Sequence, residues 1–308
     1  EMPAGNRKQA RRPNASRLVA NGNGTAPGVQ GTHRGLTYLA LPGPPREMEP
    51  MLDDALASIF PDATPRPTRL VRAFGIGESV AAGRIEALME RDRRLPVATT
   101  VSDSNVSARI RGESTADVPE VDRLVEEVLA AWSPYAFDRG ERGLAGAVGD
   151  RCRDRGARVA TAESCTGGLL GGELTEVAGS SAWYVGGVVA YENARKRDDL
   201  AVPAGVIDTH GAVSAEVARA MAEGVRTRCD ADVGLSTTGI AGPGGGSEDK
   251  PVGTVWIGLA DSTGTTARCF RFTGDRPLVR RRTVLAALQM LRFRFDGVDA
   301  PLLWEAVE

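Results

Sequence analysis

The sequence predicts an α/β protein. Its C-terminal half reads as a three-layer α/β/α domain with a mixed sheet, preceded by a small α+β module and, before that, the tail end of a further domain. Three observations carry this. From Gly143 onward, strand-length apolar runs alternate with helical stretches, and then three strand runs follow one another, as a mixed sheet requires. Before that, a strand, a helix, a hairpin and a second helix fit within about seventy residues. Residues 1–62 are dense in turn signals and read as one strand and one helix, too little to bury a core alone.

The elements follow in order. NGNGTAPG (21–28) and LPGPP (41–45) are turn segments, GLTYLAL between them is a short strand, and REMEPMLDDALASIF is an amphipathic helix with Met48, Met51, Leu52, Leu56 and Ile59 on one face. PDATPRPT (61–68) is a proline-rich linker. RLVRAFGI is a strand, ESVAAGRIEALMERD a helix, LPVATTVS and NVSARIRGE a hairpin turning at Asp103-Ser104, and VPEVDRLVEEVLAAW a helix. Beyond Gly143, GLAGAVGDRCRDRG is a helix, ARVATAES a strand, CTGGLLGGELTEVA a helix and WYVGGVVAY a strand ending at Tyr191. NARKRDDLA is a helix stopped by Pro203; SAEVARAMAEGVRTRC is a helix capped by Ser214, after a loop that holds His210. ADVGLSTTGI, PVGTVWIGLA and TARCFRFTG are strands, and RPLVRRRTVLAALQMLRFRF closes the chain as a long helix. The predicted domains are 1–62, 63–140 and 141–308.

Composition excludes several functions. With 308 residues, 42% hydrophobic and 25% charged, the chain is an ordinary globular protein, and a net charge of −2 offers no whole-molecule attraction to nucleic acid or membrane. No apolar run approaches a spanning helix, so no membrane partner is expected. Cys152, Cys165, Cys229 and Cys269 show no metal spacing; no metal or cofactor is expected, and the cysteines read as reduced thiols of a cytoplasmic protein. The only histidines are His33 and His210, so a hydrolase built on this chain would draw its base from another residue type.

Lysine is the telling scarcity. Lys and Arg total 38, yet the lysines are Lys8, Lys196 and Lys250. Lys196 stands between Arg195 and Arg197, where arginine would serve any need for charge alone. Lysine can give up its proton when buried and arginine cannot. Lys196 falls in the first turn of its helix, close to the sheet edge at which the strand before Ser164 ends. A neutral Lys196 could take the Ser164 proton, with Tyr191 relaying or stabilising it. The competing reading is a solvated lysine on a helix where Arg195 and Asp199 pair.

Two further stretches could bind an anion. In TAESCTGGLLGG (161–172), Ser164 sits at a strand-to-helix turn, and Thr166, Gly167 and Gly168 open the helix, whose first-turn N–H groups suit a phosphate or an oxyanion. Ser164 could equally be only the helix cap. In TTGIAGPGGGSEDKPVGTVWIG (237–258), Thr238, Gly239, Ala241, Gly242 and Gly246 belong to a loop that could form a nest of N–H groups, or be a flexible hairpin. Arg276 in GDRPLVRRR could meet a phosphate with two parallel donors. The basic start NRKQARR reads as solvated.

AESCTGG, GSSAWYVGGVVAYENARK, HGAVS, GIAGPGGGSEDKPVGTVW and GDR occur here in the order they take in the CinA family, and the stretch from 144 to about 296 resembles its C-terminal nicotinamide-nucleotide amidase (PncC) domain. RLVRAFGIGES resembles the KH-like module of full-length CinA proteins. NRKQA, NGNGTAPG and LPGPPREM resemble the end of the molybdopterin-binding-like N-terminal domain. The resemblance implies hydrolysis of the carboxamide of nicotinamide mononucleotide to nicotinate mononucleotide and ammonia. It places the serine, tyrosine and lysine of that chemistry on Ser164, Tyr191 and Lys196, with the phosphate on the glycine-rich loop and helix N-terminus. It implies a small-molecule nucleotide substrate, no metal, and a homodimer by analogy.

Two departures stand out. The glycine motif and acidic residues tied to ADP-ribose hydrolysis in the family's N-terminal domain do not occur, so that activity is expected to be absent. Glu192 adds a negative charge beside Lys196. The alternative function is a non-catalytic nucleotide or nucleic-acid binding module, but GIGES (75–79) lacks the GXXG spacing of KH recognition, so no nucleic-acid partner is expected. A remnant pterin-type binder is the third reading, and it should bind nothing.

Overall fold

In the computed structural model, which describes residues 11–64, 66–140 and 142–306, the chain divides into two units, Glu1–Pro65 and Arg66–Glu308. In the first, strands β1 (Ser16–Val19), β2 (Gly28–His33) and β3 (Leu36–Ala40) form an antiparallel sheet in that order. Helix α1 (Pro45–Ile59) brings Met51 and Ala55 against Val19, with Leu39 and Leu41 alongside. The sequence reading had only β3 and α1. SRLV and GVQGTH lack the apolar alternation that marks a strand, and it is pairing that makes them strands. Of the expected apolar face of α1 only Met51 is buried, while Leu56 is exposed. The basic start NRKQARR lies mostly outside the described residues.

The second unit opens with β4 (Thr68–Ala73), α2 (Glu78–Arg84), β5 (Val97–Ser102), β6 (Asn105–Arg111), α3 (Val118–Ala131) and β7 (Ala136–Asp138). The strands form an antiparallel sheet in the order β5-β6-β4-β7. Val121, Leu124, Val125 and Val128 of α3 are buried at helical spacing against it, each contributing about 1.5–3 kcal/mol. The hairpin turns at Asp103 (φ 48°) and Ser104 (φ 61°), two left-handed residues in succession, as a two-residue turn between twisted strands requires. The predicted helix after Glu78 is shorter than expected: it ends at Arg84 and continues only as a 3₁₀ turn at Glu86–Leu88. β7 was not foreseen.

The remainder contains α4 (Gly143–Arg155), β8 (Val159–Glu163), α5 (Leu169–Thr175), β9 (Tyr184–Val189), α6 (Asn193–Leu200), α7 (Ala204–His210), α8 (Ala215–Arg228), β10 (Val233–Gly239), β11 (Thr254–Asp261), β12 (Gly264–Arg271) and α9 (Arg276–Asp296). The sheet order is β12-β11-β10-β8-β9; β10, β8 and β9 are parallel, and β11 and β12 antiparallel. This is the expected three-layer α/β/α domain with a mixed sheet. Along β8, Val159 faces the core shared with α4, α5 and α9, while Ala160 and Ala162 face the core shared with α6, α7 and α8. α7 replaces the expected loop, so His210 ends one helix, and α8, capped by Ser214, follows it.

The long helix α9 joins the two halves of this unit. Buried Gln289 donates from Nε2 to the carbonyls of Phe74 (3.1 Å) and Tyr135 (3.2 Å), both in the β4–β7 module. Arg281 sits between Asp103 at the hairpin turn and Glu173 on α5.

Candidate active site

Two features of the chain path make the site. β8 (VATAE) is buried throughout and delivers Glu163, then Ser164, to the C-terminal edge of the sheet. There the chain does not enter a helix at once. Gly167 (φ 60°) and Gly168 (φ 95°) are left-handed, a conformation the helix cannot contain, so α5 begins only at Leu169. Ser164 therefore lies in a turn, not on a helix. Its backbone N–H donates to the Thr237 carbonyl (2.9 Å), which fixes the turn against β10.

The neighbouring strand β9 ends at Val189, so Tyr191 lies two residues past it and not at its end. α6 follows, begun by Glu192 in the extended conformation rather than by Asn193. This puts Lys196 in the first helical turn, as expected, and its side chain turns inward to 2% exposure. Nζ donates to Ser164 Oγ (3.1 Å) and to the Tyr191 carbonyl (3.2 Å). Ser164 is itself 8% exposed. Burial pushes the Lys196 amine below its ordinary value, since little water remains to solvate an ammonium. Arg195 pairs with Asp198 and Asp199 on the outer face of the same helix, so it is the arginine that provides the solvated charge. Glu192 is exposed and forms no ion pair with Lys196 among the described residues. Cys165 is no competing nucleophile: burial raises its thiol to about 12.

The other expected site residues divide. The Tyr191 side chain is 57% exposed, and its hydroxyl accepts from Arg276 Nη2 (3.0 Å), not from Lys196; what Tyr191 offers the lysine is its carbonyl. Arg276 also donates from Nη1 to the Gly242 carbonyl (2.9 Å), tying the glycine-rich loop to Tyr191. Thr166 is fully buried, its hydroxyl 2.7 Å from that of Thr237. Thr238 is likewise buried and donates to the Ala212 carbonyl (2.7 Å). The hydroxyls of both threonines are thus engaged within the frame. Gly239 pairs with Val255, and Ala241 is buried in the core under α9. Gly246 is exposed, with no hydrogen bond to the Ser164–Lys196 pair among the described residues. Lys250, another scarce lysine, anchors the glycine-rich loop by donating to the carbonyls of His210 (3.1 Å) and Val213 (2.8 Å).

The expectation that the helix N-terminus receives a phosphate meets an obstacle that the sequence reading missed. Glu163 is 1% exposed, and its carboxylate accepts from the N–H groups of Gly168 (2.9 Å), Leu170 (3.0 Å) and Gly171 (2.7 Å). The donors of the first turn of α5 are thus taken by the protein's own anion. The N–H group of Thr166, before the start of α5, has no hydrogen-bond partner among the described residues. The signal for Glu163 was present as an acid ending an otherwise buried strand. Arg280 was also missed: its Nη2 donates to the Thr166 carbonyl (2.6 Å), and it stands one helical turn beyond Arg276.

No helix among the described residues is long and apolar enough to cross a membrane, and no cluster of three or more metal-ligating side chains occurs among them. A cleft of about 760 Å³ between α8, β12 and the C-terminal segment lies away from the Ser164–Lys196 pair.

Comparison with known proteins agrees with this architecture. Residues 141–295 match the CinA C-terminal domain, and residues 68–134 match the KH domain of damage-inducible protein CinA. A competence-damage inducible protein of Acetivibrio thermocellus is 37% identical over 297 residues, 95% of this chain and 72% of its own length. A CinA-like protein of Geobacter sulfurreducens is 37% identical over 306 residues, covering 96% of this chain and 73% of its own. The crystal structure of a CinA superfamily protein from Klebsiella pneumoniae, 35% identical, covers 51% of this chain and 98% of its own with a TM-score of 0.50. A sheet that carries a buried serine–lysine pair at its edge, an α+β module docked on its last helix, and relatives alike over nearly the full chain lead to one assignment: the chain belongs to the CinA family.

Proposed function

We propose that the C-terminal domain is an amidase that hydrolyses the carboxamide of nicotinamide mononucleotide to nicotinate mononucleotide and ammonia. The observation that carries this reading is the buried Lys196 amine in hydrogen-bond reach of Ser164 Oγ.

The chemistry follows from that pair. With its pKa lowered, Lys196 can hold a neutral amine and accept the Ser164 proton as Oγ forms a bond to the carboxamide carbon. The free N–H group of Thr166, two residues after the nucleophile, would receive the negative charge that develops on the carbonyl oxygen. The Lys196 ammonium then returns the proton to the departing nitrogen, and the C–N bond breaks with release of ammonia. Water, deprotonated by the same amine, adds to the ester carbon, and the acid leaves as Oγ recovers its proton. The Tyr191 carbonyl orients Nζ toward Oγ. The hydroxyl of exposed Tyr191 is held by Arg276.

The test is ammonia release from nicotinamide mononucleotide by the full chain. Activity should be present in the wild type and lost in Ser164→Ala. A wild type without activity would overturn the reading in favour of a binding module.

A further inference from the structure

Helix α9 carries six arginines, and four have evident partners. Arg281 faces Asp103 and Glu173, Arg292 faces Asp296, Arg294 faces Asp261, and Arg282 lies 4.3 Å over the Trp304 ring. Arg276 and Arg280 face no carboxylate among the described residues. They are four residues apart, so they rise from one face of the helix. Both reach the catalytic edge. Arg276 contacts the Tyr191 hydroxyl and the Gly242 carbonyl, and Arg280 contacts the Thr166 carbonyl two residues after Ser164. A Cβ on Gly167 would stand 3.4 Å from Arg280 Nη2, so the guanidinium lies directly against the turn that presents the serine. Arg280 Nε is buried without a hydrogen-bond partner.

Two guanidinium groups bonded only to neutral oxygens leave their positive charge uncompensated beside the nucleophile. An arginine fork matches a phosphate better than any other side chain. The competing phosphate site, the start of α5, is filled by the Glu163 carboxylate. We propose that Arg276 and Arg280 together form the subsite for the phosphate monoester of the substrate, with Arg280 as the residue that selects a nucleotide over its nucleoside. The identity of the substrate rests on the amidase reading above; the anion subsite does not.

The test is a cycle between residue and phosphate. Hydrolysis of nicotinamide mononucleotide and of nicotinamide riboside is compared in the wild type, Arg280→Met and Arg280→Lys. For a phosphate subsite, the methionine variant loses kcat/KM on the nucleotide by about 10- to 100-fold more than on the nucleoside, and lysine restores part of the loss. Equal losses on both substrates would show that Arg280 only braces the Thr166 carbonyl, and the proposal fails. If the wild type hydrolyses neither, the amidase reading fails, and calorimetry with ribose 5-phosphate decides the subsite. Binding to the wild type that Arg280→Lys weakens and ribose does not reproduce supports it; no binding to the wild type overturns it. The lysine variant carries both comparisons should the methionine variant not fold.

Discussion

Lys196 Nζ lies 3.1 Å from Ser164 Oγ, although 32 residues separate the two in the chain. Two parallel strands side by side, β8 and β9, make this possible, because each releases one of the residues at the same edge. The amine is buried, and its other hydrogen bond goes to a neutral carbonyl. Lys196→Arg keeps a charge but cannot supply a base near neutral pH. It is therefore expected to lose activity by about 100-fold or more, the usual range for a removed general base. Ammonia release measures this, and an arginine variant as active as the wild type would mean that only the charge matters.

The same burial fixes a pH dependence. The folded protein lowers the Lys196 pKa, so the neutral fraction grows as pH rises, and kcat/KM should climb with pH and level off above the lowered value. Stability should follow the same sign. Between the lowered folded pKa and the unfolded value of about 10.4, the unfolded chain binds more protons, so this residue's contribution to stability increases with pH across that window. Urea denaturation of the wild type and Lys196→Met at several pH values measures it; the methionine variant should lack that rise.

Glu163 offers a separate test of the serine turn. Its carboxylate accepts from three backbone N–H groups that straddle the start of α5. Glu163→Gln turns one acceptor into an NH₂ that faces donors. Leaving buried N–H groups without partners costs about 1–3 kcal/mol. The variant should be destabilised by that order in chemical denaturation and should lose kcat, because the turn holding Ser164 loosens. Full activity in Glu163→Gln would show that the glycines alone shape the turn.

Much of this was legible in the sequence, and the reasons are particular. β8 and β10 announce themselves as short runs of small and β-branched residues between helical stretches, and Ser214 caps its helix as a side chain of that type does. Lys196 was legible through scarcity. β1, β2 and β7 were not, since SRLV, GVQGTH and AFD carry no periodic pattern and become strands only through pairing. The role of Glu163 was hidden for a related reason. A sequence shows which N–H groups a helix leaves open, but not which nearby side chain folds back to fill them. Tyr191, expected as the last residue of its strand, lies two residues past β9, and the reach of Arg276 from another element decides where its hydroxyl goes.

The docking of the α+β module on α9 supplies the last prediction. Gln289 is fully buried and donates from Nε2 to the carbonyls of Phe74 and Tyr135, while its Oε1 accepts from Arg292 Nε (3.1 Å). One amide thus satisfies polar groups of both halves of the unit. Gln289→Leu fits the volume but leaves the buried Phe74 carbonyl and the Arg292 Nε–H without these partners, while the Tyr135 carbonyl still accepts from the Phe74 N–H (3.3 Å). Each such loss costs about 1–3 kcal/mol, so the variant should be destabilised by at least that order in urea denaturation. Because Ser164 and Lys196 lie on other elements, the effect should fall on stability rather than on the pH dependence of catalysis. A leucine variant as stable as the wild type would mean that apolar packing from Phe74, Phe137 and Phe293 holds the module without the amide.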